Sequence, residues 1–149
     1  LHCVTRRQRQ MCIKRQMFIT AILGRLNIEK KEMEFINMGH EPMMVLDENF
    51  NFEYVKSTLP PSGLMSVKDE SFFKTTTMDI SNKTILIYTD GVTEGYIDEG
   101  KELEVEGFEK EIKKLNTTSP ETIINHATKI LTEKGYTLRD DITALGIKL

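Results

Sequence analysis

A chain of 149 residues with 39% hydrophobic side chains has material for about one domain and one modest core. No stretch approaches the roughly 18 to 20 consecutive apolar residues that cross a bilayer, and the opening residues lack the apolar run of a secretory signal, so no membrane contact and a cytoplasmic location are expected. Net charge is −3 but uneven: residues 1–16 hold Arg6, Arg7, Arg9, Lys14 and Arg15 and no acid, leaving 15 basic against 23 acidic residues beyond them, a balance that argues against nucleic acid as the main ligand.

Cys3 and Cys12 also fall in this opening segment, at a spacing that fits no zinc pattern, and are expected to be ordinary thiols. From residue 17 the pattern changes. Phe18, Ile19, Ala21, Ile22 and Leu23 predict a buried strand broken at Gly24. Met33, Phe35, Ile36 and Met38 predict a second strand stopping at Gly39, and residues 43–46 a third that ends in the polar turn Asp47, Glu48, Asn49. Phe52, Tyr54 and Val55 predict a fourth with one wet face. Short strands separated by Gly, Pro and Asn imply an antiparallel meander. Residues 57–65 contain Pro60 and Pro61 and should form a loop. Strand character returns at 72–78. Residues 84–88, TILIY, are nearly all apolar and β-branched, as in a strand buried on both faces, and lead directly into Thr89, Asp90 and Gly91.

Phe108, Ile112 and Leu115 stand at i, i+4, i+7 and predict an amphipathic helix. A second starts with Ser119 as N-cap and Pro120 at its first position; Ile123, Ile124, Ala127, Ile130 and Leu131 form its apolar face and Gly135 ends it. A last strand covers 142–147. The order of elements is that of an α+β fold.

Two acidic sites stand out by position. Asp90 follows the most buried strand, and Asp140 and Asp141 precede the last one. Carboxylates on rigid strand ends suit hard cations such as Mg²⁺ and Mn²⁺. By themselves Asp-Gly and Asp-Asp also read as solvated turns. His40, in a Gly-His-Glu-Pro turn, reads as a structural turn residue, His126 as an exposed helix residue and Glu94 as an exposed turn acid.

The segments ILIYTDGVTEG at 85–95, NMGHEPMMVL at 37–46 and RDDITAL at 139–145 together resemble the SpoIIE-like branch of the metal-dependent protein phosphatases, the protein phosphatase 2C (PPM) superfamily. MFITAILGRL at 17–26 resembles the strand before the Gly-His element, and LPPSGL at 59–64 a degenerate form of the family's Leu-Pro-rich loop. The resemblance covers residues 17–149, with residues 1–16 as a separate basic segment. It implies part of a β-sandwich with flanking helices and mostly antiparallel strands. It also implies a two-metal site for Mn²⁺ or Mg²⁺, with Asp90 and Asp140 as metal-binding catalytic residues and Asp141 as their neighbour at the metal. The implied reaction is hydrolysis of phosphoserine or phosphothreonine by a metal-activated water. The implied partner is a phosphorylated anti-anti-sigma-type regulatory protein, in a pathway controlling transcription.

Two further family metal motifs, a Gly-preceded aspartate and an Asp-Val-Ser-Gly-His-Gly-like element, have no counterpart in residues 1–16. The expectation is therefore a weakened metal site and exposed strand edges through which copies associate as a homo-oligomer. Three readings follow: an active phosphatase domain, an inactive remnant that still docks a partner, and an unrelated α+β signalling domain. The last requires that no metal bind in the Asp90–Asp140 region under any condition and that those two residues lie far apart.

Overall fold

The computed structural model describes residues 18–66, 69–98, 101–132 and 140–149. The basic segment, Cys3, Cys12 and the helix stop at Gly135 lie outside the described residues. Within those residues, nine strands and three helices follow in order: β1 (Ala21–Asn27), β2 (Glu32–Met38), β3 (Met43–Asp47), β4 (Phe52–Val55), β5 (Thr76–Asp79), β6 (Lys83–Tyr88), the short α1 (Asp90–Thr93), β7 (Tyr96–Asp98), β8 (Lys101–Glu102), α2 (Glu104–Leu115), α3 (Pro120–Thr132) and β9 (Ala144–Lys148). The fold is α+β, and every strand ladder is antiparallel.

The strands form two main sheets rather than one continuous meander. One runs β1-β2-β5, the other β4-β3-β6-β9, and β7 and β8 make a separate hairpin. The chain changes sheet three times, between β2 and β3, between β4 and β5 and between β5 and β6; β3 and β6 are apolar on both faces and need cover on both. Alternation assigns the faces. Met43 and Val45 of β3 and Ile85 of β6 pack with Met33 and Phe35 of β2 and with Ile80, between the sheets. Met44, Leu46, Leu86 and Tyr88 point the other way, onto Phe108 and Ile112 of α2 and Ile123, Ala127 and Leu131 of α3. Each such fully buried aliphatic or aromatic side chain contributes about 1.5–3 kcal/mol relative to exposure.

The helices form where expected. Ser119 accepts the N–H of Ile123 through its carbonyl and that of Thr122 through its hydroxyl, at 3.1 and 3.5 Å, so it caps α3 as its sequence position predicts. Asn116 ends α2 in the left-handed region at φ 50°. Tyr88 meets Phe108 edge to face, with ring centroids 5.7 Å apart, and burial pushes its phenol up to about 12. Tyr54 donates a 2.5 Å hydrogen bond to Glu109, fastening β4 to α2; burial and then this bond push its phenol far above the usual range.

Four local expectations change. The first strand does not break at Gly24, which pairs with Phe35 in an unbroken ladder, and it is exposed from Leu23 onward because β1 is the sheet edge. Phe72 and Phe73 are not in a strand: a 3-10 turn spans Glu70–Phe72, β5 starts at Thr76, and the two rings stack edge to face at the surface. The β7–β8 hairpin after α1 adds two strands that the sequence pattern does not predict, since they are too short to carry an alternation. His126 is not simply exposed. Its Nε2 lies 3.0 Å from Glu111 of α2, and Lys114 adds a second contact to the same carboxylate. Lys114 first, then His126, hold the Glu111 carboxyl below its usual range.

Candidate functional site

β6 and β9 are neighbours, so the residues leaving the end of one meet the residues entering the other. Their ladder pairs Tyr88 with Ala144. Beyond it, Thr89 continues the stitching. Its N–H donates to the Thr143 carbonyl at 3.0 Å, its hydroxyl oxygen accepts the Thr143 N–H at 3.1 Å, and the hydroxyl donates to the Asp141 carbonyl at 3.0 Å. One side chain thus ties the backbone before Asp90 to the backbone after Asp140.

Gly91 brings the segments closer still. A Cβ at this position would lie 2.4 Å from the Asp141 carbonyl oxygen and 3.4 Å from that of Asp140. No residue with a side chain fits while the chain keeps this path, which is the physical reason for glycine in the Asp-Gly pair. The two acidic segments, 50 residues apart in sequence, therefore share one end of the four-stranded sheet. Asp90, Asp140 and Asp141 are all exposed there. The Asp90 carbonyl closes α1 by accepting the Glu94 N–H at 2.7 Å, and Asp140 Oδ1 accepts the Asp141 N–H at 2.8 Å. Glu94 is exposed, as expected.

The same end carries a third element, one whose sequence reads only as scaffold. β3 runs antiparallel to β6, with Met44 opposite Leu86. The turn at 39–42 that leads into β3 therefore lies at the end of the sheet where β6 gives way to Thr89 and Asp90. Asn37, fully buried in the slot that follows Met33 and Phe35, fixes this turn: its side-chain oxygen accepts the His40 N–H at 3.0 Å, and its amide donates to the Glu41 carbonyl at 3.4 Å. Ser57 accepts the Gly39 N–H at 2.7 Å and donates to the Leu59 carbonyl at 2.6 Å. Gly39 sits at φ +65° with Pro61 directly against its α-carbon. The signal for this turn is present in the sequence as a polar residue, Asn37, occupying a core position of an alternating strand.

The donor set at this end is carboxylate oxygen, which fits a hard divalent cation. Mg²⁺ in particular keeps several waters and binds through one or two carboxylates. Among the described residues, however, no group of three or more His, Cys, Asp or Glu side chains is placed to hold a metal. The described residues thus fit a hydrated cation held by few protein ligands and do not by themselves complete a two-ion site.

The family model for stage II sporulation protein E (SpoIIE) matches residues 3–149. The chain belongs to the SpoIIE family. Among curated relatives it is 37% identical over 79 residues to protein IcfG of Synechocystis, covering 52% of this chain and 12% of that protein. It is 28% identical over 75 residues to the phosphoserine phosphatase RsbP of Bacillus subtilis, covering 50% of this chain and 18% of that one. The chain thus spans less than a fifth of the length of these relatives. In fold, it superposes on the RsbU and RsbW domains of a Mycobacterium tuberculosis protein with TM-score 0.68 at 21% identity, over 93% of this chain and 38% of the other. It also matches the manganese-presoaked phosphatase domain of SpoIIE from B. subtilis with TM-score 0.62 at 16% identity, over 87% of this chain and 56% of that one. The SpoIIE-family chain therefore shares its fold with part of that phosphatase domain. Among its described residues no helix is long and apolar enough to cross a membrane.

Proposed function

We propose that this SpoIIE-family chain, over residues 17–149, forms the C-terminal part of a protein serine/threonine phosphatase domain. Its substrate class is a phosphoserine- or phosphothreonine-bearing regulatory protein of the anti-anti-sigma kind, in a partner-switching pathway. The observation that carries the reading is the contact of Gly91 with the Asp141 carbonyl, which joins the two acidic segments at one sheet end. The incidental-turn reading needed those segments far apart and loses its footing.

Asp90 and Asp140 would hold the cation, with Asp141 beside them. A Mn²⁺ or Mg²⁺ ion there supplies Lewis-acid charge for phosphoryl oxygens and acidifies a bound water. The chain's own residues contribute position. Thr89 and Gly91 hold the two acidic backbones together, and the strand ends beneath them limit their motion, so alignment is set before a substrate arrives. All three carboxylates remain open to solvent, which gives a bulky phosphoprotein access to them.

The test is Mn²⁺ calorimetry on this chain and on an Asp90→Asn, Asp140→Asn double variant, followed by phosphate release from a phosphoserine peptide. Binding tighter than roughly 1 mM, lost in the variant, is expected; this is the weak range for a site with few charged ligands. Equal heats from both proteins would remove these carboxylates from the site. The absence of a three-ligand group among the described residues favours a second reading, an inactive remnant that docks the phosphorylated regulator. Phosphopeptide binding without Mn²⁺ binding or turnover is its signature.

A further inference from the structure

The Gly39–His40–Glu41 turn is held far more firmly than a connection between two sheets requires. Six hydrogen bonds link residues 37–41 and 57–59, counting the 3.2 Å bond from the Leu59 N–H and the 3.1 Å bond from the Ser57 hydroxyl to the Asn37 carbonyl. One of the two fully buried polar side chains of the described residues, Asn37, points both of its amide atoms at the backbone of His40 and Glu41. Placing a polar side chain in a buried strand slot is costly unless its bonds are made. The return here is the fixed position of two residues that are themselves at the surface. The rest of the loop is clamped from the other side, with Pro61 packed on Gly39 and Met38 bridged to Leu59.

What this turn presents is one imidazole, beside the end of β6. Because β3 runs antiparallel to β6, the turn that leads into β3 lies at the end of the sheet where β6 gives way to Asp90, and the charge of Glu41 reaches the phenol of Tyr88, the last residue of β6. The His40 ring is partly exposed, and its Nδ1 lies 3.4 Å from the Glu41 carbonyl. An imidazole carries a ring N–H that can donate a hydrogen bond into this end of the sheet. The carboxylates of Asp90, Asp140 and Asp141 at this end are acceptors only and repel a phosphoryl group in the absence of a cation. A neutral or positive donor on the rim of the same end supplies the complementary contact.

We propose that His40 is a substrate-binding residue of this site, donating a ring N–H to a phosphoryl oxygen of the bound phosphoserine, and that Asn37 is its positioning residue. This rests on the phosphatase-family reading above. It does not require the chain to turn over.

The experiment is a proton–carbon NMR titration of the full chain with histidines labelled, in which His126, paired with Glu111 between the helices, serves as an internal control. The probes are a phosphoserine peptide, its serine counterpart and inorganic phosphate, each with and without Mg²⁺. The ring signals of His40 are expected to shift in a saturable way with the phosphoserine peptide and with phosphate, and not with the serine peptide. His126 should stay in place. His40→Ala should weaken phosphopeptide binding roughly ten- to a hundred-fold, the range for a charge-assisted hydrogen bond. His40→Gln, which keeps an N–H donor, should recover part of it. Asn37→Ser should blunt the His40 response while the His126 signal reports an intact fold. Backbone amides near Asp90 shifting with the phosphopeptide while His40 stays still would overturn this inference and leave the phosphatase reading standing. A phosphopeptide that moves neither region at millimolar concentration would overturn both.

Discussion

The two sheets share one apolar cluster yet live in different surroundings. The β4-β3-β6-β9 sheet is covered on both faces, by α2 and α3 on one and by the β1-β2-β5 sheet on the other. The β1-β2-β5 sheet is packed on its inner face, while its β1 edge leaves Leu23 60% exposed and Leu26 42% exposed. The acidic segments and the Asn37 turn are both anchored at strands that run into the doubly covered sheet or directly feed it. Under the proposed function, the residues that would hold a charged site are carried by strands packed on both faces. The partly covered sheet is where the molecule has apolar surface left for contacts with other chains or other segments.

Substitutions can test that contrast. The largest effect is expected on the helix side: Phe108→Ala removes the aromatic that meets Tyr88 and should cost about 3–5 kcal/mol in urea unfolding. A cost below about 1 kcal/mol would show that the helices contribute little to the core.

Gly91→Ala comes next, since its Cβ needs the space of the Asp141 carbonyl. About 1–3 kcal/mol of destabilisation is expected, with loss of any Mn²⁺ heat seen in the parent chain. Unchanged stability and unchanged metal binding together would mean that the segments part easily.

The Glu111 clasp between α2 and α3 should matter less and depend on pH. Its carboxyl is held below the ordinary range in the folded chain. The contribution is therefore present above the unfolded value of about 4.3 and fades as pH falls through the folded value. Glu111→Gln should flatten the acid limb of a stability profile and cost about 0.2–1 kcal/mol at neutral pH. An unaltered acid limb would remove the clasp from the account.

Leu23→Ser, on the exposed edge, should change stability by about 0.5 kcal/mol or less and shift sedimentation toward monomer. A large loss of stability with no change in association would reverse the contrast between the sheets.

Much of this architecture is legible in the amino-acid sequence alone. The buried strand β6 announces itself through a nearly unbroken β-branched run, and α3 through Ser119, Pro120 and a five-residue apolar face. The family motifs single out Asp90, Asp140 and Asp141. Sequence does not show where the chain changes sheets, because a turn such as 39–42 reads the same whether it closes a hairpin or crosses between layers. It also hides the role of Asn37. Alternation identifies a core slot, but only the fold shows that its amide is aimed at His40 and Glu41. The contact of His126 escapes for a related reason: its partner Glu111 lies on the preceding helix, 15 residues back, and no local pattern links the two.

The close approach of Gly91 to Asp141 also bears on how such a chain can change over generations. Random drift at position 91 is blocked unless the path at 140–141 has already moved aside, and rerouting that path loosens the Thr89 stitching. Two segments separated by a hairpin and two helices are thus tied into one unit of inheritance. The β7–β8 hairpin between them, among whose described residues no side chain is fully buried, can be lengthened, shortened or rewritten far more freely, which leaves that hairpin as the part in which relatives of this fold would be expected to diverge.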